Sequence, residues 1–515
     1  VHPSTALSAG IRSFTFHEED SPVLRDVDLS FAPGTLTVIL GGSGSGKSTL
    51  GRLLAGWLSP GTRGSLHGHL ELAGTRLHFN GSADDPRINP AQWGVQVGFV
   101  PQDASSALST VRATVAEELA FGLENAGVDR AAMKAAVKRT ADLLGLNRLL
   151  DRHPGTLSGG QLRRLAIGCA VIAEPAVLVL DEPLASLDAA GTDELAFLLR
   201  RLLAGGTAVV VLSQAIDGAL LEADWWIVLD GGTVTASGTP EDLHAAPECL
   251  PAAIRRPGPE PKSRMPARGS ATWGAQAAAE PILELRGVAF GYHGNPGRGR
   301  KAKAATRGAS GHELNTVLLG IDLVLLPGEI VAVTGANGAG KSTLLRHLNG
   351  LLRPTSGSVL LNGKDIARVP VGEVAASVGL LFQNPRDQLF ERTAAREVRF
   401  GLDRRFGADE AADRTAAALA AVGLAEAAHG HPAELPASGQ RLLALATVLA
   451  RRPAVLALDE PTVALDGNGL AVLDTAVRSA AAAGAAVVLV THDVPYARSV
   501  ADRLLALDGG RLLGN

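Results

Sequence analysis

Only two cysteines, Cys169 and Cys249, occur in 515 residues, and they have no metal-ligand spacing, a usage that fits a reducing cytoplasm. No uninterrupted apolar stretch approaches the ~18 residues of a membrane span. The first residues also lack a basic region followed by a long apolar core, so the chain is not expected to cross a bilayer by itself. Positive charge is not in excess either: 48 Lys and Arg face 52 Asp and Glu, a formal net charge of −4, which leaves no global basic field to draw the chain onto nucleic acid. What is present in quantity is apolar residue, 46% of the chain, enough to bury more than one core.

One phosphate-binding pattern occurs twice. Gly41-Gly-Ser-Gly44-Ser-Gly46-Lys47-Ser48-Thr49 and Gly335-Ala-Asn-Gly338-Ala-Gly340-Lys341-Ser342-Thr343 both fit G-x-x-x-x-G-K-[ST]. In that pattern glycine-permitted turns aim backbone N–H groups at phosphate oxygens, the lysine reaches the β/γ-phosphates and the hydroxyl ligates Mg²⁺. Each copy follows an apolar β-rich run (36–40 and 330–333) and precedes a helix-like segment (50–56 and 344–351), the context the pattern requires. Further on, the short β-branched runs 177–180 and 455–458 end in Asp181-Glu182-Pro183 and Asp459-Glu460-Pro461. There the Asp is placed to hold Mg²⁺ and the Glu to polarise water, although an acidic pair at a strand end also serves as a helix N-cap.

The two lysines stand 294 apart and the two acidic pairs 278 apart, so the chain reads as a tandem repeat with 16 extra residues early in its first copy, most naturally within 61–90. The expected domains are 1–246 and 281–515, joined by a Pro/Ala/Gly-rich linker over 247–280. A basic stretch, 294–315, reads as a solvated loop or as a contact for an anionic membrane or nucleic acid. Charge-free runs such as 209–212 and 487–490 predict strands covered on both faces, hence α/β domains with largely parallel sheets and ligands at the strand ends.

Leu157-Ser158-Gly159-Gly160-Gln161, twenty residues ahead of Asp181, resembles the signature of ABC ATPases, and the whole chain resembles the ATPase of an ABC transporter with two fused nucleotide-binding domains. Gln102 and Gln383 match the Q-loop, Ser186-Leu187-Asp188 and Ala464-Leu465-Asp466 the D-loop, and His492 the switch histidine. Phe16 and Tyr292 stand where the family stacks an aromatic ring on adenine, though strand-edge packing explains either one equally. The resemblance implies ATP and Mg²⁺ as ligands and two tandem P-loop NTPase domains, each with a parallel core sheet, an antiparallel β subdomain and a helical subdomain. It assigns metal contacts to Ser48, Gln102, Asp181, Ser342, Gln383 and Asp459, and catalysis to Glu182, Glu460 and His492.

In that family the domains close head to tail, so each ATP lies between one cradle and the other domain's signature. The departures from the pattern are therefore informative. Gln214 stands where the second half has His492, and the second signature reads either Leu435-Pro-Ala-Ser-Gly439 or, shifted by one, Pro436-Ala-Ser-Gly-Gln440. Both changes fall on the composite site of Lys47, which leaves Lys341, Glu460, His492 and Ser158 as the expected hydrolytic site. Phe382 to Phe390 and Glu117 to Asn125 resemble the coupling segments of energy-coupling-factor (ECF) importers of vitamins, their precursors or transition-metal ions. That type implies two membrane partners, a coupling subunit and a small substrate-binding subunit, a peripheral place on the cytoplasmic face of the membrane, and no stable nucleic acid. The alternative is a tandem ABC ATPase acting on ribosomes or nucleic acid. It fits less well, because translation factors of that kind join their halves by a long charged helix and keep two intact signatures, and repair ATPases insert coiled coils.

Overall fold

A computed structural model of the chain describes residues 5–17, 19–58, 63–82, 84–185, 187–256, 280–293 and 314–514. Ser186, nearly all of the basic stretch 294–315 and residues 257–279 of the expected linker lie outside the described residues. The chain divides into two compact units, with the break between Pro257 and Gly258.

In the first unit, strand alternation sends neighbouring side chains to opposite layers. In the run Val177–Asp181, Leu178 and Leu180 face a helical layer, while Val177 and Val179 face the cradle helix and an antiparallel sheet. All five positions are buried, as expected of a strand covered on both faces. The core sheet runs Val97–Val100, Val177–Asp181, Ala208–Ser213, Leu36–Leu40, Trp225–Asp230, Thr233–Gly238. Its first five strands are parallel and the last is antiparallel. The second unit repeats this order with Val378–Leu381, Val455–Asp459, Ala486–Val490, Ile330–Thr334, Arg503–Asp508 and Arg511–Gly514. Each unit adds a four-stranded antiparallel sheet and a helical layer, the α/β architecture expected from the sequence.

Part of the extra length of the first copy lies in the antiparallel sheet. Its outer hairpin, Gly64–Leu72 with Thr75–Asn80, spans nine and six residues, against six and two for Ser356–Leu361 with Lys364–Asp365. A second difference is a break in one helix. Val115–Asn125 is continuous through Gly122, whereas the equivalent Gly401 takes φ 76° and divides Ala394–Arg399 from Leu402–Phe406.

The expected linker begins too early. Pro247–Cys249 forms a 3₁₀ turn, and Leu250 and Ile254 are buried in the first unit's core. Arg255 N donates to Gln214 O at 2.8 Å and Ile216 N to Arg255 O at 2.8 Å. Two aliphatic side chains four residues apart supply apolar burial that the surrounding prolines and alanines do not, so the first unit continues to about residue 256.

Trp226 is fully buried and its Nε1 donates to Leu220 O at 3.0 Å, while its neighbour Trp225 is 44% exposed. Trp226→Ala is expected to cost the first unit about 3–5 kcal/mol and Trp225→Ala within about 0.5 kcal/mol. The shift of the urea unfolding midpoint would read both.

Candidate functional site: two phosphate cradles

Each cradle joins the middle of the core sheet to a helix. In the first unit Leu36–Leu40 leads through Gly41–Gly46 into the helix Lys47–Leu54, and in the second Ile330–Thr334 leads into Lys341–Leu348. Glycine is required here by geometry. Gly46 and Gly340 enter the helices at φ 96° and 102°, and a Cβ at Gly41 or Gly335 would come within 2.4 Å of a carbonyl oxygen, Leu229 O or Leu507 O. A Cβ on Gly44 or Gly338 would meet nothing within 4 Å, so the open side of each loop faces free space. Neither helix has a side-chain cap, which leaves its first N–H groups to a ligand. Lys47 Nζ folds back onto Gly41 O and Gly42 O at 2.7 and 2.8 Å, and Lys341 Nζ onto Gly335 O and Ala336 O at 2.7 and 3.1 Å.

A parallel strand two places from the cradle strand delivers the carboxylates to the same edge. Asp181 and Asp459 are buried and accept hydrogen bonds from Ser48 and Ser342, while burial raises both pKa values. Glu182 and Glu460 follow in the left-handed region, at φ 50° and 47°. Backbone bonds of 2.9 Å to the next strand, at Leu212 O and Val490 O, hold them there.

The two glutamates then diverge. Glu460 Oε2 accepts from His492 Nδ1 at 2.8 Å and from His492 N at 3.1 Å, and its Oε1 lies 3.8 Å from Lys341 Nζ. Burial opposes its charge, but the His492 bond and the lysine bring its pKa below the ordinary value. Glu182 has only the backbone N–H of Gln214 in that role, and burial pushes it up to about 8 against the pull of Lys47. Gln214 is itself buried and anchored through its carbonyl to Arg255 N.

One family model, described as ABC transporter, matches residues 24–185 and again 318–463. The chain belongs to the ABC transporter family. It is 36% identical, over 98% of its length and 92% of the other chain, to a protein of Streptomyces avermitilis provisionally named an ABC transporter ATP-binding protein. It is 30% identical, over 97% of its length and 93% of the relative, to one of Methanosarcina mazei with the same name. Among solved structures, cbiO1 from Clostridium perfringens, part of the ABC transporter complex cbiONQ, is 28% identical with a TM-score of 0.39 over 46% of this chain and 89% of that one. The chain is therefore an ATP-binding subunit of an ABC transporter, an ATPase whose two ABC domains bind ATP with Mg²⁺.

The residues present fit the metal. Asp181 Oδ1 and Asp459 Oδ1 are buried with no hydrogen-bond partner in the protein, beside the Ser48 and Ser342 hydroxyls. Such orphaned carboxylate oxygens suit a hard cation that takes oxygen ligands. Bound there, Mg²⁺ would neutralise charge on the β- and γ-phosphate oxygens.

The ABC signature regions also differ. Ser158 caps the helix Gly159–Val171 in a reciprocal box with Gln161, and a Cβ on Gly159 or Gly160 would meet nothing within 4 Å. The equivalent helix, Ala437–Leu449, has Pro436 at its N-cap and no side-chain cap. Of the two registers open in the sequence, the helix start therefore favours Leu435 to Gly439. Gln102 and Gln383 follow the edge strands, the first half-buried and the second exposed. Tyr292 donates to or accepts from Thr343 Oγ1 at 3.2 Å, next to the cradle. Phe16 packs edge-on against Phe14, a contact that equally suits strand-edge packing.

Sequence reasoning missed Arg163 and Arg441, 278 apart. Arg163 Nη1 donates to Pro183 O and Ala185 O at 2.5 and 2.6 Å, bracing the turn after Glu182. Arg441 instead donates to Phe382 O at 3.1 Å, and burial lowers its pKa to about 10. It also assigned no role to the buried Glu118 and Glu397. Glu118 accepts from Ser109 N and Oγ at 2.5 and 2.8 Å, and Glu397 from Phe390 N and Glu391 N at 2.7 and 2.6 Å. Matching the repeats residue by residue would have found all four.

If the orphaned oxygens await a metal, Asp459→Ala should weaken binding of MgATP at its own cradle by about 10–100-fold and leave ATP in EDTA much less affected. Titration of a fluorescent ATP analogue with and without Mg²⁺ would measure this in a Lys47→Ala background.

Proposed function

We propose that the chain energises an ECF-type importer from the cytoplasmic face of a membrane, with one hydrolytic and one slow ATP site. The observation that carries the asymmetry is the Glu460–His492 hydrogen bond of 2.8 Å, where the first unit offers Glu182 only the backbone of Gln214. A carboxylate held ionised and oriented by an imidazole can take up a proton from attacking water. In this reading Glu460 is the general base, His492 orients it and senses the γ-phosphate, and Lys341, Ser342, Asp459 and Gln383 hold the nucleotide and metal. Lys47, Ser48, Asp181, Gln102 and Glu182 do the same at a site that turns over slowly.

The signature difference acts in the same direction if the domains pair head to tail, as the family resemblance implies. Ser158, Gly159, Gly160 and Gln161 would then close on nucleotide at Lys341, offering a hydroxyl, free N–H groups and a helix N-terminus to the γ-phosphate. Pro436 brings neither a hydroxyl nor an N–H to the nucleotide at Lys47. Tyr292 and Phe16 would stack on the two adenines.

For the importer type, the support is the resemblance of Phe382–Phe390 and Glu117–Asn125 together with a surface feature. Phe390 and Phe400 are 65% and 50% exposed and stack edge to face at 4.8 Å, an apolar pair suited to a membrane subunit's coupling helix. In the first unit the equivalent Phe121 lies under the Arg112 guanidinium at 4.7 Å, a more polar groove. A vitamin, a vitamin precursor or a transition-metal ion is the expected cargo, bound by the small membrane partner.

In the complex assembled with its membrane subunits, Glu460→Gln and His492→Gln should each lower steady-state ATPase by about a hundredfold, and Glu182→Gln by only a few-fold. Equal losses for the two glutamates would refute the asymmetry. Affinity purification from detergent-solubilised membranes should recover two integral membrane proteins, one of them small. Recovery of ribosomes without any membrane protein would overturn the importer reading.

A further inference from the structure

A cleft occupies the same place in both units, bordered by the helix before the signature helix, the end of the signature helix and the helix after the acidic pair. In the first unit its volume is about 520 Å³ and in the second about 860 Å³. The 278-residue offset explains the difference, because Leu143, Ile172 and Leu202 become Ala421, Ala450 and Ala480. Three truncations on three separate elements hollow one site, and an enlargement, Ala136 to Arg414, still leaves it the roomier of the two.

Charge changes at the same mouth. In the first unit Arg139 and Glu174 close it as an ion pair at 3.2 Å. In the second, Arg139 becomes Ala417 and Glu174 becomes Arg452, with the backbone unchanged at φ 54° and 47°. No Asp or Glu lines the larger cleft. Arg414, which lines it, is held by Glu410 at 2.8 Å and lies over the Phe406 ring at 3.8 Å. Arg452 is exposed and has no charged partner among the described residues.

We propose that the second unit's cleft binds a free single-chain carboxylate amphiphile, its tail along the alanines and its head on Arg452. A wall made mostly of methyl groups selects hydrocarbon, since it offers few hydrogen bonds to a polar body. The unpaired guanidinium then sets the sign of the head and suits a carboxylate. A cleft of about 860 Å³ has room for one short hydrocarbon chain, which favours a single free amphiphile over a bilayer lipid. This site is independent of the cargo and of the asymmetry between the ATP sites.

The test is calorimetric titration of the full chain with dodecanoate below its micelle concentration, with dodecanol, dodecyltrimethylammonium and phosphatidylglycerol vesicles as comparison arms. The expected result is saturable one-site binding of dodecanoate. Ala421→Leu and Ala480→Leu should each weaken it about tenfold or more without lowering the unfolding midpoint, and Arg452→Glu should weaken it to a similar degree. Circular dichroism melts of each variant separate loss of the site from loss of the fold. The proposal is overturned by the absence of saturable binding, by undiminished binding in folded Leu variants, by equal uptake of dodecanol or the cationic chain, or by binding to vesicles alone.

Discussion

The constraint on which each unit depends is the seating of a buried lysine among buried carboxylates at the carboxyl edge of a parallel sheet. Lys341 and Glu460 are nearly inaccessible to solvent, and so are Lys47 and Glu182. Charges taken out of water are costly unless they are paired and hydrogen-bonded. The cradle carbonyls take up the ammonium, the helix serine takes up the aspartate, and the neighbouring strand fixes the glutamate backbone. The cradle loop and its helix follow one strand, the carboxylates end a second and Val490 O lies on a third between them, so the strand order of the sheet is what makes the group possible.

That arrangement explains why a change on one strand has consequences on another. The histidine or glutamine sits one strand away from the glutamate and alters its charge without touching the cradle. In the second unit the imidazole offsets burial and the carboxylate stays ionised. In the first, burial prevails over the pull of Lys47 and pushes the carboxyl up to about 8. The two sheets share their topology, and the residue beside the glutamate is one of the differences between the units.

Much of this was legible in the sequence, because phosphate binding imposes glycines and a lysine at fixed intervals, and both-face burial imposes short aliphatic runs. The positions of Lys47, Lys341, Asp181 and Asp459 could be read from those rules, and that of His492 from the resemblance to ABC ATPases. The rest depends on contacts between residues far apart in the chain. Leu250 and Ile254 look like linker residues until the core they seal is in place. The register of the second signature was ambiguous by one residue, because Pro436 and Ala437 compete as the equivalent of Ser158; the start of the helix favours the first. Glu118 and Glu397 read as surface acids on amphipathic helices, and only the loops folded over them explain their burial.

The strap formed by Leu250–Arg255 has a mechanical consequence. Through the Arg255–Gln214 backbone bond, the end of the first unit is hooked onto the loop beside Glu182. Displacing the strap would therefore shift the loop that carries Gln214, the position at which the two cradles differ.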